Sequence, residues 1–182
     1  MAVKNNRRTI MTKRLLKTAL IELMQETPIN KITIKDICQQ ADLSRSTFYL
    51  HYTDQYALLN DLESEVITTI MGQIRKITPE LDPLIVCREF TSYLHKEHTI
   101  FRTLLCQQEN FHFQTKLIDE LHKTSMELLA FSSEDSIRLG YKVDFITHGA
   151  LSIFRNWIFH GFDMTEEEIS ELVFDLCCQA LD

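Results

Sequence analysis

Apolar residues recur at three- and four-residue intervals along most of the chain, with no sustained period-two alternation, so the pattern predicts helices and no strands. The first stripe, Leu16, Ala19, Leu20, Leu23 and Met24, predicts a helix over residues 9–26 that Pro28 ends. Leu58, Leu59, Leu62, Val66, Ile70 and Ile74 predict a longer helix over residues 54–76. A helix of ~20 residues is about 30 Å long, which makes it a lever as well as a linker. Pro79 and Pro83 mark the next break, and helices follow near residues 83–95, 98–107 and 110–131. The last of these carries Phe111, Leu117, Ile118, Leu121, Leu128 and Leu129 as a stripe.

The C-terminal end has a different pattern. Between residues 141 and 159, Val143, Ile146, Ala150, Ile153, Phe154, Trp157 and Ile158 build one apolar stripe. Tyr141, Phe145, Gly149, Ser152 and Phe159 build a second, with small residues at its centre. A helix apolar on two sides has to be covered on two sides. Gly161 ends the segment, and Thr165 with Glu168 forms a capping box for a last helix. That helix is expected to bury Ile169, Leu172, Val173, Leu176 and Ala180.

Composition agrees with long helices and short connections, since the chain has four Gly and three Pro, mostly between the periodic segments. Its 182 residues can bury a sizeable core as one large or two small domains. No run of about 18 apolar residues is present to span a membrane. The N-terminus is basic but lacks the apolar run of a signal peptide. Five cysteines without a paired zinc-type spacing point to reduced thiols in a cytoplasmic protein.

Residues 33–59 carry a tighter pattern. Thr33 and Asp36 make a capping-box-like start to a short helix, whose Ile34, Ile37, Cys38 and Ala41 share one apolar face. The chain turns at Asp42 and Leu43, because Asp tolerates the left-handed conformation better than most residues with a side chain. Ser44 caps a second short helix through Arg45, Ser46, Thr47, Phe48, Tyr49, Leu50 and His51. Hydrogen-bonding and cationic side chains at successive positions of its start suit the edges of DNA bases. Phe48, Leu50 and Tyr52 are expected to pack the small domain.

Thr33, the apolar pair, Ala41, the turn, Leu43-Ser44, Thr47-Phe48-Tyr49, an apolar residue, His51 and an aromatic together resemble the DNA-binding domain of TetR-family repressors. Two positions depart from that pattern. Asp42 stands where the family usually places Gly, and Gln55 stands where it commonly has a Lys to meet phosphate. The stretch from Gly149 through Arg155, Trp157 and Gly161 also resembles a C-terminal region found in a subset of TetR-like regulators. The expected architecture is all-α, with a three-helix helix-turn-helix DNA-binding domain over residues 1–53. A helical ligand-binding and dimerisation domain over residues 54–182 follows, for about nine helices in all.

On this reading Arg45, Ser46, Thr47 and Tyr49 meet bases in the major groove, Arg45 by a bidentate contact with guanine and Thr47 against thymine methyls. Thr33, Lys35, Ser44, Tyr49 and His51 hold phosphates and fix register. The resemblance further implies an effector that enters the middle helices, shifts the helix at 54–76 and changes the spacing of two recognition helices.

The charge is divided to match. Residues 1–60 hold nine Lys and Arg against five Asp and Glu, whereas the remainder holds ten against twenty-one. Lys4, Arg7, Arg8, Lys13, Arg14 and Lys17 make a basic approach to the first helix, as a solvated arm or, beside the motif, as phosphate contacts.

Polar and aromatic residues interrupt the middle helices. Tyr93, Phe101, Cys106, Phe111, Phe113 and His122 are the candidates for lining an effector pocket, with ordinary core and surface packing as the alternative. His95, His98, Cys106, His112 and His122 include zinc-type donors, but no compact ligand motif gathers them, so no metal or other cofactor is expected. Thiol sensing needs an exposed, electropositive cysteine, which sequence does not reveal. Phe145, Gly149, Ser152, Phe159, Leu172 and Leu176 are the candidate dimer interface, a four-helix arrangement of the last two helices of each subunit.

The expected partners are therefore double-stranded DNA with a palindromic operator, a second copy of the chain, and a small-molecule effector, with no membrane. A DNA-binding regulator without such an effector, controlled by a protein partner, thiol oxidation or metal, has the same DNA-binding features. No phosphate loop, nucleophile elbow or metalloprotease signature asks for catalysis, so no catalytic residue is assigned.

Overall fold

A computed structural model describes residues 2–76, 83–106, 111–129 and 135–181, apart from the side chains of residues 2–6, 106 and 111. The described residues form nine α-helices and one short 3-10 turn, with no strand among them. The helices are α1 (Ala2–Met24), α2 (Ile34–Gln40), α3 (Arg45–Tyr49), α4 (Gln55–Ile74), α5 (Pro83–Lys96), α6 (His98–Cys106), α7 (Phe111–Leu128), α8 (Ser136–Phe159) and α9 (Glu166–Leu181). The all-helical expectation holds. Boundaries differ mainly at N-termini. No breaker interrupts residues 2–8, so α1 starts well before its apolar stripe, and the Asp135 carboxylate caps α8 from the Ile137 amide at 3.1 Å, ahead of Tyr141.

The chain divides into two compact units, Met1–Val66 and Ile67–Asp182, so α4 runs from one into the other. In the first unit, Leu16 and Leu20 of α1, Ile37 of α2, Phe48 of α3 and Leu58 of α4 have no solvent exposure. These are the positions the apolar spacing selects, and each is worth about 1.5–3 kcal/mol when fully buried. A hydrogen bond of 2.6 Å from the Gln40 amide to Glu22 adds a polar tie between α2 and α1.

In the second unit α5 lies along α9, while α8 packs on α6, α7 and α9. Arg88 of α5 reaches Glu167 at 2.9 Å and Glu171 at 2.7 Å, and the Cys87 thiol donates to the Ser170 carbonyl at 3.3 Å. The turn between α8 and α9 is tight. Gly161 (φ 75°) and Phe162 (φ 64°) are both left-handed, and the Phe162 amide returns to the Trp157 carbonyl at 2.9 Å. A side chain there is costly, and the Phe162 ring is held against those of His95 at 4.4 Å and Trp157 at 4.8 Å. The Trp157 indole N–H then donates to the Met164 carbonyl at 2.8 Å, and the predicted box closes with Thr165 N–H to Glu168 at 2.8 Å.

Within one chain, Ile169 and Val173 of α9 are buried as expected, Ala180 is half-buried, and Leu172 and Leu176, also the candidate dimer interface, are exposed. Residues 169 and 173 lie a turn apart on one face, and 172 and 176 on the neighbouring one, so only the first pair is covered within the chain.

Candidate nucleic-acid interface

The geometry of residues 33–52 is fixed by caps at every junction. The Thr33 hydroxyl accepts from the Asp36 amide at 3.2 Å, and the Thr33 amide returns to the Asp36 carboxylate at 3.0 Å. Hydrogen bonds from the Thr33 hydroxyl and backbone, helped by Lys35, hold the Asp36 carboxyl below its ordinary range. At the far end of α2, Asp42 takes φ 52°, its amide meets Gln39 O at 3.3 Å, and the Leu43 amide meets Cys38 O at 2.9 Å. This pair of bonds satisfies the last carbonyls of α2 and aims the chain into α3. Asp42 thus performs the turn that glycine performs elsewhere.

Ser44 then caps α3 by accepting the Thr47 amide at 3.1 Å. Its oxygen also lies 2.8 Å from the hydroxyls of both Ser46 and Thr47, so three hydroxyls form one cluster at the helix start. Arg45, Ser46 and Tyr49 are exposed, Thr47 and His51 are half-buried, and Phe48 is fully buried between α3 and the rest of the unit. Tyr49 stands edge-on to the Phe48 ring at 5.7 Å. Thr33, Lys35 and Ser44 are also exposed, beside the turn. The predicted base- and phosphate-contact residues thus stand on α3, its N-capping Ser44, the start of α2 and, for His51, the turn after α3.

Leu50 is a correction. Assigned to packing from its apolar character, it is 80% exposed, whereas Phe48 and Tyr52 are buried as expected. The Tyr52 amide, just past α3, returns to the Phe48 carbonyl at 3.0 Å and its ring meets that of Phe48, whereas Leu50, the C-cap of α3, points to solvent. An exposed leucine adjoining Tyr49 is a functional candidate that the hydropathy pattern alone assigned to the wrong side.

The basic approach is also sorted. Arg7, Arg8 and Arg14 are exposed, and the side chain of Lys4 is outside the described residues. Lys17, in contrast, is nearly buried, 2.9 Å from Asp61 and hydrogen-bonded to Glu65. Burial opposes its charge, but the Glu65 and Asp61 hydrogen bonds outweigh this and raise its pKa. It is an internal cation, not a phosphate contact.

Of the candidate pocket residues, Tyr93, Phe101, Phe113 and His122 are described, and they lie in or beside the core of the second unit. Phe101 and Phe113 are fully buried, and Tyr93 stands edge-on to Phe101 at 5.5 Å. His122 meets Asp144 at 2.7 Å. The side chains of Cys106 and Phe111 are outside the described residues. Among the described residues no three His, Cys, Asp or Glu side chains gather as metal ligands. His95 instead meets Glu166 at 2.6 Å, and the His98 ring stacks edge-on to Phe162 at 5.8 Å. Burial, with the neighbouring Cys177, pushes the Cys87 thiol up to about 11; burial, with Cys178, does the same for Cys177. Such thiols are protonated and weakly nucleophilic at neutral pH. No helix among the described residues is long and apolar enough to cross a membrane.

The second apolar stripe of α8 is bare, and two leucines of α9 are exposed as well. Tyr141, Phe145 (70% exposed) and Phe159 (62%) on α8 face solvent, as do Leu172 and Leu176 on α9. Gly149 and Ser152 are half-buried in the same helix, and the space beside Gly149 is open.

A capped helix-turn-helix followed by a separate helical unit defines a DNA-binding regulator of transcription. The comparisons with known proteins agree. Residues 15–62 match the family described as "Bacterial regulatory proteins, tetR family", and residues 82–178 match the one described as "Transcriptional regulator C-terminal region". The chain belongs to the TetR family of transcriptional regulators. It is 25% identical over 103 residues (53% of the chain, 27% of the relative) to the uncharacterized HTH-type transcriptional regulator YxbF of Bacillus subtilis. It is 34% identical over 56 residues (31% of the chain, 30% of the relative) to the HTH-type dhaKLM operon transcriptional activator DhaS of Lactococcus lactis. The matched segments thus span under a third of each curated relative. In fold it is similar to a TetR transcriptional regulator from Streptococcus agalactiae, with TM-score 0.72 and 22% identity over 97% of this chain and 99% of that one.

Proposed function

We propose that the chain is a homodimeric, cytoplasmic repressor that binds a palindromic operator and is released by a small-molecule effector. The observation that carries the DNA contacts is the geometry of α3. The helix is pinned at Ser44, anchored by Phe48, and presents Arg45, Ser46 and Tyr49 to solvent. Arg45 makes the bidentate contact with guanine, Ser46 and Tyr49 read neighbouring bases, and the Thr47 methyl meets thymine. Thr33, Lys35, Ser44, Tyr49 and His51 hold phosphates.

The dimer is supported by the uncovered α8–α9 stripe of Tyr141, Phe145, Phe159, Leu172 and Leu176. Exposed apolar side chains of this size favour burial against an identical chain, and two-fold symmetry matches paired half-sites. Effector release is supported by α4, a single helix whose first turns belong to the DNA-binding unit and whose last turns belong to the other. A ligand that shifts α4 changes DNA affinity only by its differential affinity for the two states. Tyr93, Phe101, Cys106, Phe111, Phe113 and His122 are proposed to border that ligand.

A DNA-binding titration in the presence of candidate ligands tests the effector. Weakened operator binding by any of them supports release, whereas unchanged affinity throughout favours control by a protein partner. The half-buried thiols of Cys87 and Cys177, protonated at neutral pH, argue against oxidation at those two positions, whereas Cys178 is exposed. Activation is the second reading of the sign, because the relative matched at 34% identity is named an operon activator. A promoter fusion assayed with and without the protein separates the two.

A further inference from the structure

The carboxylate of Asp61 is a meeting point of three segments of the DNA-binding unit. Its Oδ2 accepts the Tyr52 hydroxyl at 2.7 Å, the Lys17 ammonium at 2.9 Å and the Lys13 ammonium at 3.4 Å. Tyr52 lies three residues past the end of α3, with its amide bonded to Phe48 O at 3.0 Å and its ring 5.9 Å from the Phe48 ring. Lys13 also lies over the Tyr52 ring, 5.3 Å from its centre. The Lys17 side chain is 12% exposed and that of Lys13 is 39%, so the first is sealed in and the second is within reach of solvent.

We infer that Asp61 is a positioning residue for DNA binding: it ties the exit of α3 to α1 through Tyr52 and withholds the Lys13 ammonium from the phosphate backbone. This rests on the reading that α3 contacts DNA.

Two consequences follow from the chemistry. A tyrosine hydroxyl held by a carboxylate helps fix where His51 and α3 stand, because Tyr52 follows His51 and its amide and ring meet Phe48 of α3. An ammonium paired with a carboxylate releases no counterion on DNA, so Lys13 adds nothing to the salt dependence while Asp61 is charged. Burial, then the Asp61 hydrogen bond, holds the Tyr52 phenol protonated far above its ordinary range, so the donor is present at all working pH values.

The experiment measures binding of the full chain to a mixed-sequence duplex over a range of salt. Asp61→Asn keeps an acceptor for Tyr52 but removes the charge, and the slope of log affinity against log salt is expected to steepen by about 0.9, one phosphate contact. Lys13→Gln is expected to leave the slope of the otherwise unsubstituted chain unchanged and to abolish the steepening in the Asp61→Asn background. Tyr52→Phe is expected to lower the ratio of operator to mixed-sequence affinity at an unchanged slope. An unchanged slope in Asp61→Asn overturns the inference, as does a shallower slope from Lys13→Gln alone, a variant that leaves the Tyr52–Asp61 and Lys17–Asp61 bonds in place. If the unsubstituted chain binds no duplex, both the DNA reading and this inference fall; intact binding with unchanged slopes removes this inference alone.

Discussion

The backbone N–H of Leu43 donates to the Cys38 carbonyl at 2.9 Å across Asp42, whose φ of 52° is left-handed. The helix-turn-helix angle therefore depends on a conformation that costs an ordinary residue about 1–2 kcal/mol. Asp42→Gly is expected to raise stability by up to about 1 kcal/mol, because relief of that strain exceeds glycine's greater loss of chain entropy. Asp42→Val is expected to lower it by about 1–2 kcal/mol. Urea unfolding of the two variants checks the signs.

Arg45 and Lys35 are both exposed but sit at different places in the turn. Arg45→Ala is expected to cost about 1–3 kcal/mol of operator binding and to relax preference at one base pair. Lys35→Ala is expected to weaken binding evenly across sequences and to make the salt slope shallower by about 1. Competition titrations against operators mutated one base pair at a time distinguish the two patterns.

Leu50 and Phe48 form an instructive pair two residues apart. Phe48→Ala empties a fully buried site and is expected to cost about 3–5 kcal/mol of stability. Leu50→Ala, at 80% exposure, is expected to change stability by less than about 0.5 kcal/mol. A loss of operator affinity in Leu50→Ala with an unchanged thermal midpoint would place that side chain at the DNA.

These residues show what the pattern of the chain could and could not reveal. Caps are local chemistry, so Thr33–Asp36, Ser44–Thr47 and Thr165–Glu168 were readable from residue type and spacing. The left-handed turn at Asp42 was readable for the same reason. Burial depends on what lies opposite, which spacing does not state. Leu50, Leu172 and Leu176 have the same hydropathy as buried leucines and are exposed. Long-range polar pairing was the least legible. Lys17 read as part of a basic surface until Asp61 and Glu65, on another helix, were seen to enclose it.

Asp61 also predicts a limb of acid stability. Burial raises its pKa, but hydrogen bonds from Tyr52 and Lys17 and the charges of Lys17 and Lys13 outweigh this and bring it down to about 2. A carboxyl depressed in the folded state stabilises fully above its unfolded pKa of about 3.9, and that stability is lost as pH falls through the folded value. Asp61→Asn is expected to be less stable near neutrality and to lose that deficit progressively as the pH is lowered toward about 2. Urea midpoints across this range test the sign; a deficit independent of pH contradicts it.

The bare stripe of α8 and α9 predicts an association equilibrium. If that stripe closes the proposed dimer, Phe145→Glu is expected to shift the chain to monomer, since an exposed aromatic buried at an interface contributes about 1.5–3 kcal/mol and a carboxylate there opposes burial. Ile10→Ser, at an exposed apolar position of α1, is the control. Sedimentation velocity across a concentration series reads both.

The central claim is that α3 reads DNA sequence in two symmetric copies. Selection of bound fragments from randomised duplex by the purified chain, repeated with Arg45→Ala, tests it most directly. The account predicts an enriched palindrome whose preference is lost at one symmetric pair of positions in the variant. Enrichment of no sequence, or of one that Arg45→Ala recovers unchanged, would contradict it.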